Sequence, residues 1–280
     1  MSPQTKLLIN ADDFGLTPGV NRAIAELHTA GALPSATLMA CGAAFDDAVR
    51  IAHQQPTLDV GCHVVLVDGT PLAPPNSIPS LLAKTGQLRD SLPNFILDLQ
   101  RGRIHERDIE TEATAQIRYL QQAGIPVTHV DTHKHTHLFP RVARPLLRAA
   151  KACGVHAIRN PFEPAWSARL TRGALIRRLE VTALRTFRAT FQKLTQDLNI
   201  ATTEGCIGVS ATGNLDPHNL ATLLDNLPSG IWELVCHPGY NDTDLRTIRT
   251  RLTTTRDIER KALLHAIPTA GLQLATFGDL

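Results

Sequence analysis

The chain has 280 residues, enough for one large barrel-type domain or two smaller ones. Its 28 Lys and Arg against 26 Asp and Glu leave a net charge of +2, which speaks against a nucleic-acid partner and against a surface built wholesale for membranes. No run of about 18 apolar residues occurs, and MSPQTKLLINADDFG at the start has no apolar leader segment, so neither a transmembrane span nor a signal peptide is expected. Cys41, Cys62, Cys153, Cys206 and Cys236 form an odd set with no CxxC pair, which fits free thiols in a reducing cytoplasm.

In chain order, KLLINA (6–11) predicts the first strand. Thr17 and Pro18 then read as an N-cap and first-turn proline, opening a helix that runs through His28. ATLMA (36–40) and DVGCHVVLV (59–67) predict two further strands. Residues 68–105 carry five prolines and predict a long irregular insertion, of the kind that shapes a substrate pocket. A helix is expected over 106–123, where Ile109, Ala113, Ile117, Leu120 and Ala123 recur near helical period. VTHVDT (127–132) is the next strand, and a helix from Pro140 to the residue before Gly154 follows. VHAIRN (155–160) is a strand, 166–198 a long helical region, GCIGVS (205–210) a strand and 216–226 a helix. IWELVCH (231–237), a helix over 243–267 and LQLATFG (272–278) complete the pattern. Eight strands alternating with helices predict an α/β fold with a parallel sheet, a (β/α) barrel first and an open doubly wound sheet second.

On a barrel, the C-terminal ends of the strands form one mouth. Asp12 and Asp13 end the first strand, His63 lies on the third, Asp131 and His133 end the fourth, Arg159 and Asn160 end the fifth, and His237 ends the seventh. Each has an ordinary explanation taken alone. The Asp pair suits a turn, His63 a core histidine, His237 a turn residue before Pro238, and Cys62 and Cys236 small core residues. One metal site explains the polar set together. HVDTHKHTH (129–137) packs four of the twelve histidines into nine residues. On an extended strand His129, Asp131 and His133 share a face, the one toward the mouth, with His129 as a buried or orienting neighbour. His135 and His137 fall on the following loop, as substrate contacts or as helix caps.

These motifs resemble a family. LLINADDFGLTPGVNRAI, VGCHVVL, THVDTHKHTHLFP, ELVCHPGY and the closing FGDL are similar, in order and over nearly the whole chain, to the YdjC-like carbohydrate deacetylases, which include chitooligosaccharide and hopanoid-associated deacetylases. Lys134 and Thr136 depart from the family's pattern, and 161–204 is longer than in the oligosaccharide enzymes. The resemblance implies a deformed TIM-like (β/α) barrel, a single domain over 1–280, with insertions at about 68–105 and 161–204. It implies hydrolysis of the N-acetyl group of an amino sugar, in an oligosaccharide or a glycolipid. It implies one divalent metal per chain, zinc by ligand chemistry or magnesium as in the family, held by Asp13, His63 and His133. Asp12 would be the general base, and His237 would protonate the leaving amine or steady the oxyanion. Asp131 would orient a histidine, and Arg159 would bind substrate or orient Asp12.

The stretch 165–195 is rich in arginine, including Arg177, Arg178 and Arg185, along an apolar stripe. A barrel helix with a solvated basic face accounts for it. A surface resting peripherally on anionic lipid stays open beside that reading, as does a homodimer. Two rivals from other classes remain: a metal-dependent phosphoesterase or amidohydrolase drawing extra ligands from His135 or His137, and a non-catalytic sugar-binding barrel, against which the pairing of Asp12 with a full ligand set counts.

Overall fold

In the computed structural model, residues 5–170, 185–248, 250 and 252–280 are described. Among them, seven parallel strands pair in the order β5-β4-β3-β2-β1-β7-β6. They are β1 Thr5–Phe14, β2 Ser35–Leu38, β3 Asp59–Val64, β4 His129–Thr132, β5 Ala157–Ile158, β6 Cys206–Ile207 and β7 Gly230–Cys236. The sheet curls into a half-barrel. Ala201 bridges to Ala157 at one edge, while Cys206, a few residues on, pairs with Glu233 at the other.

Side-chain alternation divides the two faces. Leu7, Ile9 and Ala11 of β1 point outward into the main apolar core with Cys62, Val130, Ile158 and Leu234. Helices α1 Pro18–Thr29, α2 Phe45–Gln54, α4 Glu106–Gln122 and α5 Pro140–Ala152 cover that face. Leu8, Asn10 and Asp12 point the other way, and this inner face grades from apolar to charged. At the strand N-termini, Leu8, Ala157 and Phe277 form a small separate cluster. Above it, the His129 ring stacks on Phe277 at 3.8 Å and its Nε2 meets Asn10 Oδ1 at 3.2 Å. A Cβ on Gly61 would come within 2.5 Å of that ring, so glycine is what leaves room for it. The charged residues lie above.

The eighth expected strand is not formed. Residues 272–278 make a single parallel bridge, Leu274 to Leu7, and then a 3-10 turn at Phe277–Asp279. β7 instead pairs directly with β1 from Thr5↔Gly230 to Ala11↔Cys236. The C-terminal segment sits on the other side of β1, below the point where β2 begins to pair, and there it closes the floor of the half-barrel.

Two other expectations are revised. The insertion at 68–105 is not wholly irregular. It contains α3 Leu92–Gln100, whose N-cap Ser91 accepts from the Asn94 amide. It is also pinned down by α4. Glu112 accepts the Leu72 and Ala73 amides at 2.9 and 3.0 Å, and Asp108 accepts the Ser80 amide at 2.8 Å. The helix over 243–267 breaks into α9 Thr243–Thr247 and α10 Arg256–Ala266. Between them, Thr253 and Thr255 donate to the Thr250 and Leu252 carbonyls, a local bonding that competes with helix. Of the long helical region over 166–198, the described residues are helical at Ala165–Leu170 (α6) and Arg188–Leu198 (α7), with a 3-10 turn at Arg185–Phe187. Arg177, Arg178 and most of the basic stretch lie outside the described residues. Helix α8 Pro217–Leu224 matches its prediction. Among the described residues, no helix is long and apolar enough to cross a membrane.

Candidate metal centre

The charged layer begins with β1. On a regular strand Asp12 and Asp13 would point to opposite faces. Here the pairing of β1 with β2 slips between Ala11 and Phe14, and Asp13 takes a left-handed backbone, φ 66°. Asp is one of the few residues that tolerate that region. The result brings both carboxylates to one mouth.

Asp13 Oδ1 lies 3.3 Å from His133 Nδ1 and 3.6 Å from His63 Nε2. The two imidazole nitrogens are 3.3 Å apart. These three atoms therefore form a nearly equilateral triangle, and Asp13 Oδ1 is buried with no hydrogen-bond partner. Ligand atoms about 2.0–2.2 Å from a tetrahedral ion stand about 3.3–3.6 Å from one another. The triangle thus fits one metal ion, and His133, with 22% of its side chain exposed, marks the open side. The other oxygen of Asp13 accepts from buried Arg256 at 2.5 Å. Burial pushes the Asp13 pKa up, but Arg256 and the two histidines more than offset this and hold it well below the usual carboxylate range.

His63 is oriented from behind. Its register partner on β4 is Asp131, and Nδ1 meets Asp131 Oδ1 at 2.6 Å. That contact leaves Nε2 for the triangle. Burial lowers the His63 pKa, but Asp131, Asp12 and Asp13 outweigh it and raise it to about 9. Holding an ion through Nε2 requires this ring neutral, so metal binding would displace its proton.

Arg159 is the centre of the layer, fully buried. It holds both oxygens of Asp12 at 2.6 and 2.9 Å, Asp131 at 2.6 Å and Glu233 at 2.6 Å. Glu233 belongs to β7 and Asp131 to β4, so this single side chain ties together distant parts of the curl. Burial raises the Asp12 pKa, and Arg159 with His63 overcomes that and keeps the carboxylate ionised. Asp12, His63 and Asp131 also converge closely enough to suggest a second ion, but the guanidinium already supplies the cation there. Arg159 is fully buried against Asp12, a place that suits an orienting role.

His237 Nε2 lies 3.7 Å from Asp12 Oδ2, and its amide donates to Glu259 Oε2 at 2.7 Å. Burial is the main cause that holds the His237 pKa down to about 4, leaving the ring neutral. After His133 the chain makes a 3-10 turn in which Lys134 and His135 are both left-handed, φ 59° and 51°. His135 is half-buried, and burial and then Arg159 hold its pKa down to about 3. His137 turns away and closes the loop, its Nδ1 2.6 Å from Thr132 Oγ1.

Sequence reasoning missed Arg256, Glu259, Glu233 and Thr37. Glu233 carried a signal, a lone acid inside the apolar run IWELVCH. Thr37 touches Asp12, His63 and Asp131 and looks in sequence like any strand threonine. Arg256 and Glu259 sit on a helix whose inner face no periodicity could aim at the mouth.

Fold and site together define a class: an α/β half-barrel with an Asp–His–His group able to hold a metal ion at its strand C-termini, beside a buried carboxylate–arginine network. The chain belongs to the YdjC-like protein family, whose model matches residues 6–272. A carbohydrate deacetylase of Brevibacillus brevis is 30% identical over 280 residues, covering 98% of this chain and 99% of the relative. A carbohydrate deacetylase of Mus musculus is 30% identical over 248 residues, 85% of this chain and 79% of the relative. A crystal structure from Enterococcus faecalis, described as that of a cellobiose-phosphate cleavage protein, has the same fold. Its TM-score is 0.78 at 24% identity, covering 99% of this chain and 98% of that one.

Proposed function

We propose that the chain is a metal-dependent hydrolase that removes the N-acetyl group from an N-acetylated amino sugar and releases acetate. The observation that carries this reading is the triangle of Asp13, His63 and His133 with Asp12 and His237 beside it. The relatives named carbohydrate deacetylase supply the substrate class.

An amide carbonyl is a poor electrophile and neutral water a poor nucleophile; a divalent ion held by Asp13, His63 and His133, zinc or magnesium, would polarise the one and lower the pKa of the other toward about 7. The protein's own groups do the rest. Asp131 fixes the His63 ring so that Nε2 faces the triangle. Arg159 grips Asp12 and keeps it anionic and fixed in place; the same grip weakens it as a base, so a proton it accepts from the attacking water is passed on rather than held. Neutral His237, 3.7 Å from Asp12, relays that proton to the departing nitrogen. Arg256 occupies one oxygen of Asp13 and leaves Oδ1 for the ion. A two-metal phosphoesterase would need a second ion among Asp12, His63 and Asp131, where the Arg159 guanidinium already supplies the cation.

Acetate release from N,N′-diacetylchitobiose should stop on chelation and return with added divalent metal. His133→Ala should lose bound metal, measured as metal per chain. Asp12→Asn should keep the metal and lose about 10²–10⁴-fold in rate. If Asp12→Asn empties the site and Asp13→Asn does not, the two carboxylates have exchanged roles. If the wild-type chain, fully loaded, releases no acetate from any N-acetylated sugar, the reading fails.

A further inference from the structure

The turn after His133 is built against its own backbone preference. Lys134 and His135 are consecutive non-glycine residues in the left-handed region, which side-chain-bearing residues avoid and which persists only where surrounding contacts impose it. Two contacts flank it here. At the far end, Thr132 Oγ1 accepts the His137 amide at 3.1 Å and pairs with His137 Nδ1. At the near end, Lys134 Nζ reaches Asp68 at 2.9 Å, and Asp68 is itself left-handed at φ 62°. Asp68 opens the insertion that α4 pins down. The turn is thus held between the barrel and the insertion.

The turn carries His135, which is half-buried. Its Nδ1 is buried and has no hydrogen-bond partner. A buried polar atom without a partner is costly and rare, and marks a place where one is normally supplied. The ring is two residues beyond His133 in the same 3-10 turn. It lies 6.2 Å, centroid to centroid, from His137, which faces inward to Thr132 and to Phe191. His137 is thus held by the fold through Nδ1, although its Nε2 is likewise without a partner, whereas no such hydrogen bond holds the His135 ring.

We propose that His135 is a specificity-determining residue that hydrogen-bonds a hydroxyl of the bound amino sugar, held in place by the Lys134–Asp68 clasp. This rests on the deacetylase reading of the same mouth. The ligand chemistry is a neutral hydroxyl, a group that can donate to or accept from either imidazole tautomer and can enter a half-buried site without the cost of burying a charge. Metal binding needs no part of it.

The test uses the full chain with N,N′-diacetylchitobiose and its monodeoxy analogues. His135→Ala should raise KM about 3- to 10-fold, the effect of one lost neutral hydrogen bond, with a smaller change in kcat and unchanged metal per chain. One deoxy analogue should bind wild type more weakly by the same factor yet bind His135→Ala no worse than the parent sugar. Lys134→Gly removes the clasp and accommodates the left-handed backbone. It should raise KM without lowering the melting temperature. A binding arm, calorimetry of the same sugars with the Asp12→Asn chain with and without His135→Ala, should show the same factor and does not need turnover. Equal affinities in that arm, losses that simply add for every deoxy analogue, or metal lost from His135→Ala would overturn the proposal. Sugar that binds with the predicted pattern but is never deacetylated would support the subsite and count against the reaction.

Discussion

Arg159 shows how much one side chain can carry in a polar barrel interior. It is the shared counter-ion of Asp12, Asp131 and Glu233, and burial still lifts the Glu233 pKa to about 7 despite that contact. Removing one partner from a buried ionic network leaves uncompensated charge, which costs about 3–5 kcal/mol. Arg159→Met should therefore lower the urea-unfolding free energy by about that amount. Arg159→Lys should recover only part of it, because one ammonium cannot present the fork that grips Asp12 on both oxygens. A wild-type urea midpoint in either variant would mean that the network contributes nothing to stability. The sequence marked Asp12, Asp13, His63, Asp131, His133, Arg159 and His237, because polar residues at the ends of apolar runs stand out. It could not distinguish Arg159 beneath the site from Arg159 at its surface. That depends on which way a side chain turns after the last paired residue of β5.

Among the elements, α4 does more than cover the sheet. Asp108, Glu112 and Gln116 recur at a spacing of four, so they line one face of the helix. All three bond backbone outside α4, at Ser80, at Leu72 and Ala73, and at Val65. This is why a proline-rich insertion is held in a defined place beside the mouth. Glu112→Ala would orphan two amides at once, at about 1–3 kcal/mol each. The expected outcome is rapid proteolytic nicking within 68–105 under conditions where the wild-type chain stays intact. Cleavage at the wild-type rate would show that the insertion is held by other contacts. The helical period of 106–123 was plain in the sequence, but its polar face looked like a solvated one. Only the packed insertion reveals it as an internal anchor. The bend at Asp13 was equally hidden, since a dipeptide of two aspartates says nothing of the slipped register that turns both toward one point.

For the molecule as a whole, the floor and the mouth of the half-barrel are separate problems. Leu7 exchanges backbone hydrogen bonds with Gln273 and Ala275, Phe277 stacks on His129, and the Phe277 amide donates to Asp59. The C-terminal segment thus fills the space that an eighth strand would have enclosed. Phe277→Ala should reduce stability by about 3–5 kcal/mol, read from thermal or urea unfolding. Metal affinity should stay near wild type, because Asp13 and His133 stand at the opposite end of the strands. A large loss of metal affinity would show that floor and mouth are coupled through His129.

Strand–helix alternation, the helix starts at Thr17–Pro18 and Pro140, and the placing of Asp12, His63 and His133 on or at the ends of strands were all determined by sequence pattern. Local periodicity sets the elements, and a parallel sheet necessarily gathers its C-terminal ends. HVDTHKHTH was legible in part for the same reason: alternation puts His129, Asp131 and His133 on one face, as floor, orienting carboxylate and triangle member in turn. The closing segment at 272–278, the break between α9 and α10, the buried place of Arg159 and the partners Arg256 and Glu259 were decided by tertiary structure. Each depends on contacts between residues far apart in the chain, whose geometry exists only once the sheet has curled.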